Sequence, residues 1–180
     1  MKQAVTRAAF LLAAALVGGC AQVEIRPPAG PLEFDLAGRI AARYGAESFA
    51  GNFAWRHARS GDEMLITTPF GQGVARILRQ GEAVLLTTAE PREYRAEDAE
   101  ALTERVLGFR LPLLGLADWV RGRAADGTPA RTEYSADGKL AKLEQNGWRV
   151  EYQDYTGALP ARMRLLYQGI ELRLAITQWN

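Results

Sequence analysis

The chain has 180 residues, 24% of them charged, with Lys and Arg at 22 against Asp and Glu at 21 and a formal net charge of +1. That length supports one domain with a sizeable core, and the balance of interspersed charges gives no electrostatic case for nucleic acid or for anionic lipid headgroups. One cysteine and one histidine exclude a disulfide framework and a multi-histidine metal site.

The first segment is a targeting signal. Met1 to Arg7 carries Lys2 and Arg7 with no acid, Ala8 to Val17 is unbroken apolar, and Val17-Gly18-Gly19 sets small residues before Cys20. The apolar run spans roughly 15 Å as a helix, about half of a ~30 Å hydrocarbon core, so residues 1–19 are expected to be cleaved off as a signal peptide, not retained as a membrane span. Leu16-Val17-Gly18-Gly19-Cys20 resembles the bacterial lipobox, which implies that Cys20 carries the lipid anchor. Ala21 stands where an aspartate would retain a lipoprotein at the inner membrane, and so points to the outer membrane. Loss of Lys2 and Arg7 lowers the formal charge from +1 to −1.

Residues 20–33 follow as an anchored N-terminus and linker, with three prolines in AQVEIRPPAGPL. An extended tether of this length could hold the domain some 35 to 40 Å from the bilayer, at ~3.1 to 3.6 Å per residue.

From residue 34 to 180 the pattern is mainly β. Phe49, Gly51, Phe53 and Trp55 share one strand face, as do Trp148, Val150 and Tyr152, and as do Ile170, Leu172, Leu174 and Ile176. Such alternation sets one face of each strand against a core. Turn residues at Ser60-Gly61-Asp62, Gly71-Gln72-Gly73, Gln80-Gly81-Glu82, Asp137-Gly138, Asn146-Gly147 and Gln168-Gly169 fall at hairpin intervals, giving about nine to eleven antiparallel strands. Two stretches break the period: Ala96 to Leu107, acidic at its start and stopped by Gly108, and Leu113 to Arg121, opened by Pro112 and stopped by Gly122. Both are expected to be helices, and Leu113, Leu116, Trp119 and Val120 suit them to cover a curled sheet.

The candidate apolar positions facing the interior are Phe53, Trp55, Leu65, Trp148, Tyr152, Leu165 and Leu172 on strands, with Leu113, Leu116 and Trp119 on the covering helix. A packed core and a ligand cavity share this pattern; a count of nine or more strands favours a cavity. Pro69-Phe70-Gly71 forms a tight turn between two strands. Phe70 at its tip either folds back on the sheet or projects.

Five segments in order carry a resemblance: Phe34-Asp35-Leu36-Ala37-Gly38-Arg39-Ile40, Phe49 to Trp55, Thr68-Pro69-Phe70-Gly71-Gln72-Gly73, the helix start Ala96 to Glu100, and Leu111-Pro112-Leu113 through Trp119-Val120-Arg121-Gly122. Together they resemble the LolB family, the outer-membrane lipoprotein receptors of Gram-negative bacteria, over residues 34 to 179. The resemblance implies a curled, incomplete antiparallel barrel with helices over the mouth of an apolar cavity. It also implies a monomer, lipid-anchored and facing the periplasm. Such a protein would accept the acyl chains of lipoprotein cargo from the carrier LolA, without a cofactor, and deliver them to the inner leaflet of the outer membrane. In this family a protruding hydrophobic residue, usually leucine, occupies the place of Phe70 and is implicated in insertion.

No reaction centre is expected. His57 lies beside Arg56 and Arg59 at a strand end, where solvent is its expected setting. Ser48, Ser60 and Ser135 lie near turns without a nucleophile elbow. Glu97, Asp98 and Glu100 suit a helix N-terminus better than an acid–base pair, and Gly71-Gln72-Gly73 lacks the lysine and helix of a phosphate loop. No catalytic, metal or cofactor residue is therefore assigned. The other reading of the pattern is a structural envelope lipoprotein with a solid core that docks onto an outer-membrane complex.

Overall fold

The computed structural model describes residues 25–180; the signal segment, its cleavage site and Cys20 lie outside the described residues. The strands are β1 (Phe34–Tyr44), β2 (Glu47–Ala58), β3 (Gly61–Thr67), β4 (Gly73–Gln80), β5 (Ala83–Thr88), β6 (Glu93–Ala96), β7 (Ala130–Tyr134), β8 (Leu140–Gln145), β9 (Trp148–Thr156), β10 (Leu159–Tyr167) and β11 (Ile170–Trp179). They form one antiparallel sheet in the order β6-β5-β4-β3-β2-β1-β11-β10-β9-β8-β7. Every neighbour but one is a hairpin partner, and the exception, β1 with β11, joins the two ends of the domain.

The edge strands β6 and β7 are consecutive in the chain but do not pair, so the sheet curls without closing. Between them run α1 (Ala99–Leu107) and α2 (Leu113–Trp119). A chain leaving one edge and returning at the other has to cross the sheet, and here it crosses the inner face. Inward side chains from both halves of the sheet, among them Leu86 of β5 and Leu143 of β8, join Leu102, Leu111, Leu113 and Trp119 in one continuous apolar core.

Helix boundaries follow local chemistry. Ala96 belongs to β6, and α1 begins after Asp98, whose carboxylate accepts from the Glu100 and Ala101 amides at 2.9 and 3.0 Å. This caps two of the amides that lack partners in the first turn. Gly108, at φ 82°, ends the helix. The second helix stops at Trp119, short of the expected Arg121.

The N-terminal linker is not a free tether over its described part. Ile25 is buried against Leu78 and Leu85 on the outer face of β4 and β5, and Ser60 donates to the Ala29 carbonyl at 3.1 Å. Two outward leucines needed a cover, and the linker supplies it.

Gly38 shows how tightly the central strands approach. It sits at a register shift between β1 and β11, and a Cβ there would run into the Ala175 carbonyl oxygen, a backbone atom that cannot swing aside. Gly38→Ala is expected to cost about 1–3 kcal/mol through overpacking, seen as a lower urea midpoint with an unchanged slope.

Candidate functional site

The inner face and the crossing segment make one site. Phe53, Trp55, Trp148, Leu165 and Leu172 point inward and Leu113, Leu116 and Trp119 point down onto them, all between 0 and 4% exposed. Tyr152 is half-buried and donates its hydroxyl to the Trp119 carbonyl at 3.0 Å. Burial pushes its phenol pKa far up, so it stays a donor. As the molecule stands, side chains of the α1–α2 strap occupy the interior.

Leu65 does not belong to this set. It is 43% exposed on the outer face, while its neighbours Met64 and Ile66 face inward. Met64-Leu65-Ile66 is a continuous apolar run, and such a run does not reveal its own parity. Register does: Met64 lies opposite Trp55 and Leu65 opposite Ala54.

Polar side chains fasten the strap. Trp119 Nε1 donates to Gln145 Oε1 at 2.8 Å, and Gln145 Nε2 donates to the Ala125 and Thr128 carbonyls at 2.8 and 3.0 Å. Gln145 is thus a buried amide with its bonding used on one segment, as burial requires. Beyond α2, Arg121 binds Glu33 at 2.6 Å and Asp118 at 3.0 Å, and its guanidinium lies over the Phe34 ring at 5.6 Å. The Arg121 bond holds the Glu33 carboxyl below its ordinary pKa. At the other end, Arg110 binds Glu104 at 2.8 Å and lies over the Tyr167 ring, which stacks on Trp148.

His57 is not in solvent. It is 7% exposed and stacked on Phe34, with Nδ1 2.6 Å from Asp62 Oδ1. Asp62 also accepts from Trp55 Nε1 at 2.8 Å and from the Arg79 guanidinium. The Ser60-Gly61-Asp62 signal marks a turn, but Gly61 already opens β3, and Asp62 turns inward. No sequence cue separated this carboxylate from an ordinary turn residue. Gln145, beside the Asn146-Gly147 turn, went unmarked for the same reason.

The turn between β3 and β4 is rigid at its base. Gly71 N donates to the Thr68 carbonyl at 2.9 Å, Thr68 N to the Gln72 carbonyl at 2.8 Å, and Gly71 takes φ 85°. Pro69 and Phe70 therefore occupy the two central positions of a closed turn, and Phe70 is 95% exposed. It does not fold back on the sheet.

Comparison with known proteins now bears on this architecture. The family profile described as outer membrane lipoprotein LolB matches residues 32–179. The chain belongs to the LolB family. It is 38% identical over 170 residues to the outer-membrane lipoprotein LolB of Thiobacillus denitrificans, covering 91% of each chain. Against the LolB of Nitrosomonas europaea it is 38% identical over 153 residues, 82% of this chain and 72% of the other. A crystal structure of a LolA superfamily protein from Nitrosomonas europaea overlays with a TM-score of 0.51 at 14% identity, covering 82% of this chain and 84% of that one, which speaks to fold alone. LolB membership makes the chain an outer-membrane lipoprotein.

Outside the apolar interior, Glu171 is the main buried charge of the outer face among the described residues. Arg43, Arg164 and Arg173 converge on it at 2.8, 3.0 and 2.6 Å. The Arg164 bond first, then Arg173, hold its carboxyl down at about 2. A folded-state pKa below the unfolded value of 4.5 contributes stability that is present above that value and lost as pH falls towards 2. Acid unfolding of Glu171→Gln is therefore expected to show a shallower loss of stability between pH 4.5 and 2 than the parent chain; equal slopes by urea melts across that window would remove Glu171 from the account.

Proposed function

We propose that this chain receives lipoproteins from a periplasmic carrier of the LolA kind, holds their acyl chains against its inner face, and inserts them into the inner leaflet of the outer membrane. The LolB family are outer-membrane lipoprotein receptors, and the purely structural reading has no support from it. In this reading acylated Cys20 is the anchor, residues 34–180 are the lipoprotein-binding domain, and the chain acts as a monomer. Acyl chains take the ground now held by Leu113, Leu116 and Trp119, against Phe53, Trp55, Trp148, Tyr152, Leu165 and Leu172. The step is a partition of apolar groups, driven at ~0.8 kcal/mol per methylene removed from water. It needs no covalent chemistry, so no enzyme activity or cofactor is invoked.

The observation that carries the reading is Phe70, a large apolar ring 95% exposed on a closed turn. Burying such a ring in a bilayer surface is favourable by roughly 2 kcal/mol, whereas a carboxylate in its place is opposed by desolvation. Pro69 and Gly71 hold it out.

Transfer of labelled lipoprotein from carrier to protein, then from protein to liposomes, separates the two steps. Phe70→Glu is expected to fold and accept cargo normally, with stability changed by no more than about 0.5 kcal/mol, and to fail at delivery. Phe70→Leu keeps both steps. Normal delivery by Phe70→Glu would overturn the role of the turn. Leu172→Glu buries a charge in the interior and should lower cargo acceptance or stability by several kcal/mol, read as loss of photocrosslinking from inward positions to cargo.

A further inference from the structure

Beside the Phe70 turn, the outer face of the sheet carries two guanidiniums with nothing to bind. Most arginines on that face are matched: Arg43, Arg164 and Arg173 with Glu171, Arg56 and Arg76 with Glu63, and Arg149 with Glu144. Arg39 of β1 and Arg162 of β10 are exposed, and neither guanidinium has an ion-pair or hydrogen-bond partner among the described residues.

Register puts the two together. Arg39 and Arg162 both lie opposite Ala175 of β11, one on either side. They are thus two strands apart, about 10 Å at ~4.8 Å per strand, across a floor of small side chains. A groove of about 570 Å³ runs there, lined by Arg39, Ala41, Ala50, Pro69, Arg162 and Ala175 among others. The nearest carboxylate in register with Arg162 is Asp154, which is occupied with the Tyr155 amide at 2.9 Å and forms no ion pair with the arginine. On the other side Arg39 faces Asn52, whose amide donates to the Thr68 carbonyl at 3.2 Å. The cationic row is therefore bolted to the base of the turn that presents Phe70, and Pro69 belongs to both.

We infer that Arg39 and Arg162 bind the phosphates of membrane phospholipids, so that the outer face of β1, β11 and β10 rests on the leaflet while Phe70 enters it. The inference rests on the role proposed for Phe70. A phospholipid phosphate is the ligand whose chemistry fits. It is anionic and matches the donor fork of a guanidinium. Small alanine side chains leave the groove open to a headgroup. The net charge of the chain gives no hint of this site because 21 acidic side chains offset 22 basic ones over the whole sequence.

The test uses the full mature chain as Cys20→Ala, which carries no acyl anchor, sedimented with vesicles of phosphatidylcholine or of phosphatidylcholine mixed with phosphatidylglycerol. Binding should be tighter to the anionic vesicles, and each of Arg39→Gln and Arg162→Gln should weaken that binding by about fivefold, the effect typical of one arginine near an anionic surface. The double variant should lose the preference for phosphatidylglycerol while still accepting cargo from the carrier, which shows that it is folded. Arg149→Gln, whose guanidinium is paired with Glu144 at 3.0 Å outside the groove, should leave the preference in place. If the double variant keeps the preference, or the parent chain has none, the arginine site is wrong whatever Phe70 does. If instead Phe70→Glu delivers cargo normally, the reading of the turn fails first, and the two failures are told apart by the separate measurements.

Discussion

An eleven-stranded antiparallel sheet has one apolar face that must be covered, and among the described residues one segment between its two edge strands covers it. Because β6 and β7 are both edges and neighbours in sequence, residues 97–129 are fixed at both rims and cannot leave the sheet; they can only shift across it. Leu113, Leu116 and Trp119 are held there by roughly 5 to 9 kcal/mol of apolar burial between them. An acyl chain gains a similar amount from about a dozen methylenes. In the function proposed above, strap and cargo compete for the same surface on nearly equal terms, the condition under which a carrier can take up an acyl chain and let it go again.

The polar contacts decide where that competition is fought. The α2 end is pinned by Gln145, Tyr152 and Glu33, and Arg121 also leans on Phe34, whose ring stacks on His57 in the buried Asp62 cluster. Three side chains, Trp55, His57 and Arg79, converge on the buried Asp62 carboxylate, the kind of satisfaction that burial of such a group requires. The α1 end is held more lightly, by a 3.5 Å contact from the Tyr44 hydroxyl to Leu107 and by Arg110 at the surface. Val106 and Leu107 are only partly buried. Lifting α1 thus disturbs fewer satisfied buried groups than lifting α2.

Much of the fold was legible because its logic is binary. Alternation at Phe53 and Trp55, at Trp148 and Val150, and along Ile170 to Ile176 fixed the inward faces, and Pro112, Gly108 and Gly122 bounded the helical stretches. Where alternation lapses, as in Met64-Leu65-Ile66, only the pairing with β2 decides which residue turns in. Buried polar residues were illegible for a different reason. Asp62 and Gln145 are the residue types expected beside a turn, and their burial depends on donors that arrive from Arg79, Trp55 and Trp119, far off in sequence or on other strands. Ile25 sits among prolines, and nothing local predicts that Leu78 and Leu85 need it. The exposure of Phe70 was legible only through the family resemblance, since residue pattern alone allowed the ring to fold back and the bonds that close its turn run between backbone atoms.

With acylated Cys20 as the anchor, as proposed, the point where the linker leaves the domain constrains how the domain meets the membrane. Ile25 lies on Leu78 and Leu85, at the end of the β3–β4 hairpin away from Phe70. From Gly73 to Leu78 the strand covers about 17 Å, and the five residues from Cys20 to Ile25 can span at most about 18 Å. An upright domain with Phe70 at the bottom would use that whole reach merely to bring Cys20 level with the turn. Laying the hairpin along the leaflet relaxes the constraint, and the face it then presents to lipid is the outer one, where the linker docks and where Arg39 and Arg162 stand unpaired. The same orientation turns the inner face and its strap towards the periplasm, the side from which the proposed function brings cargo.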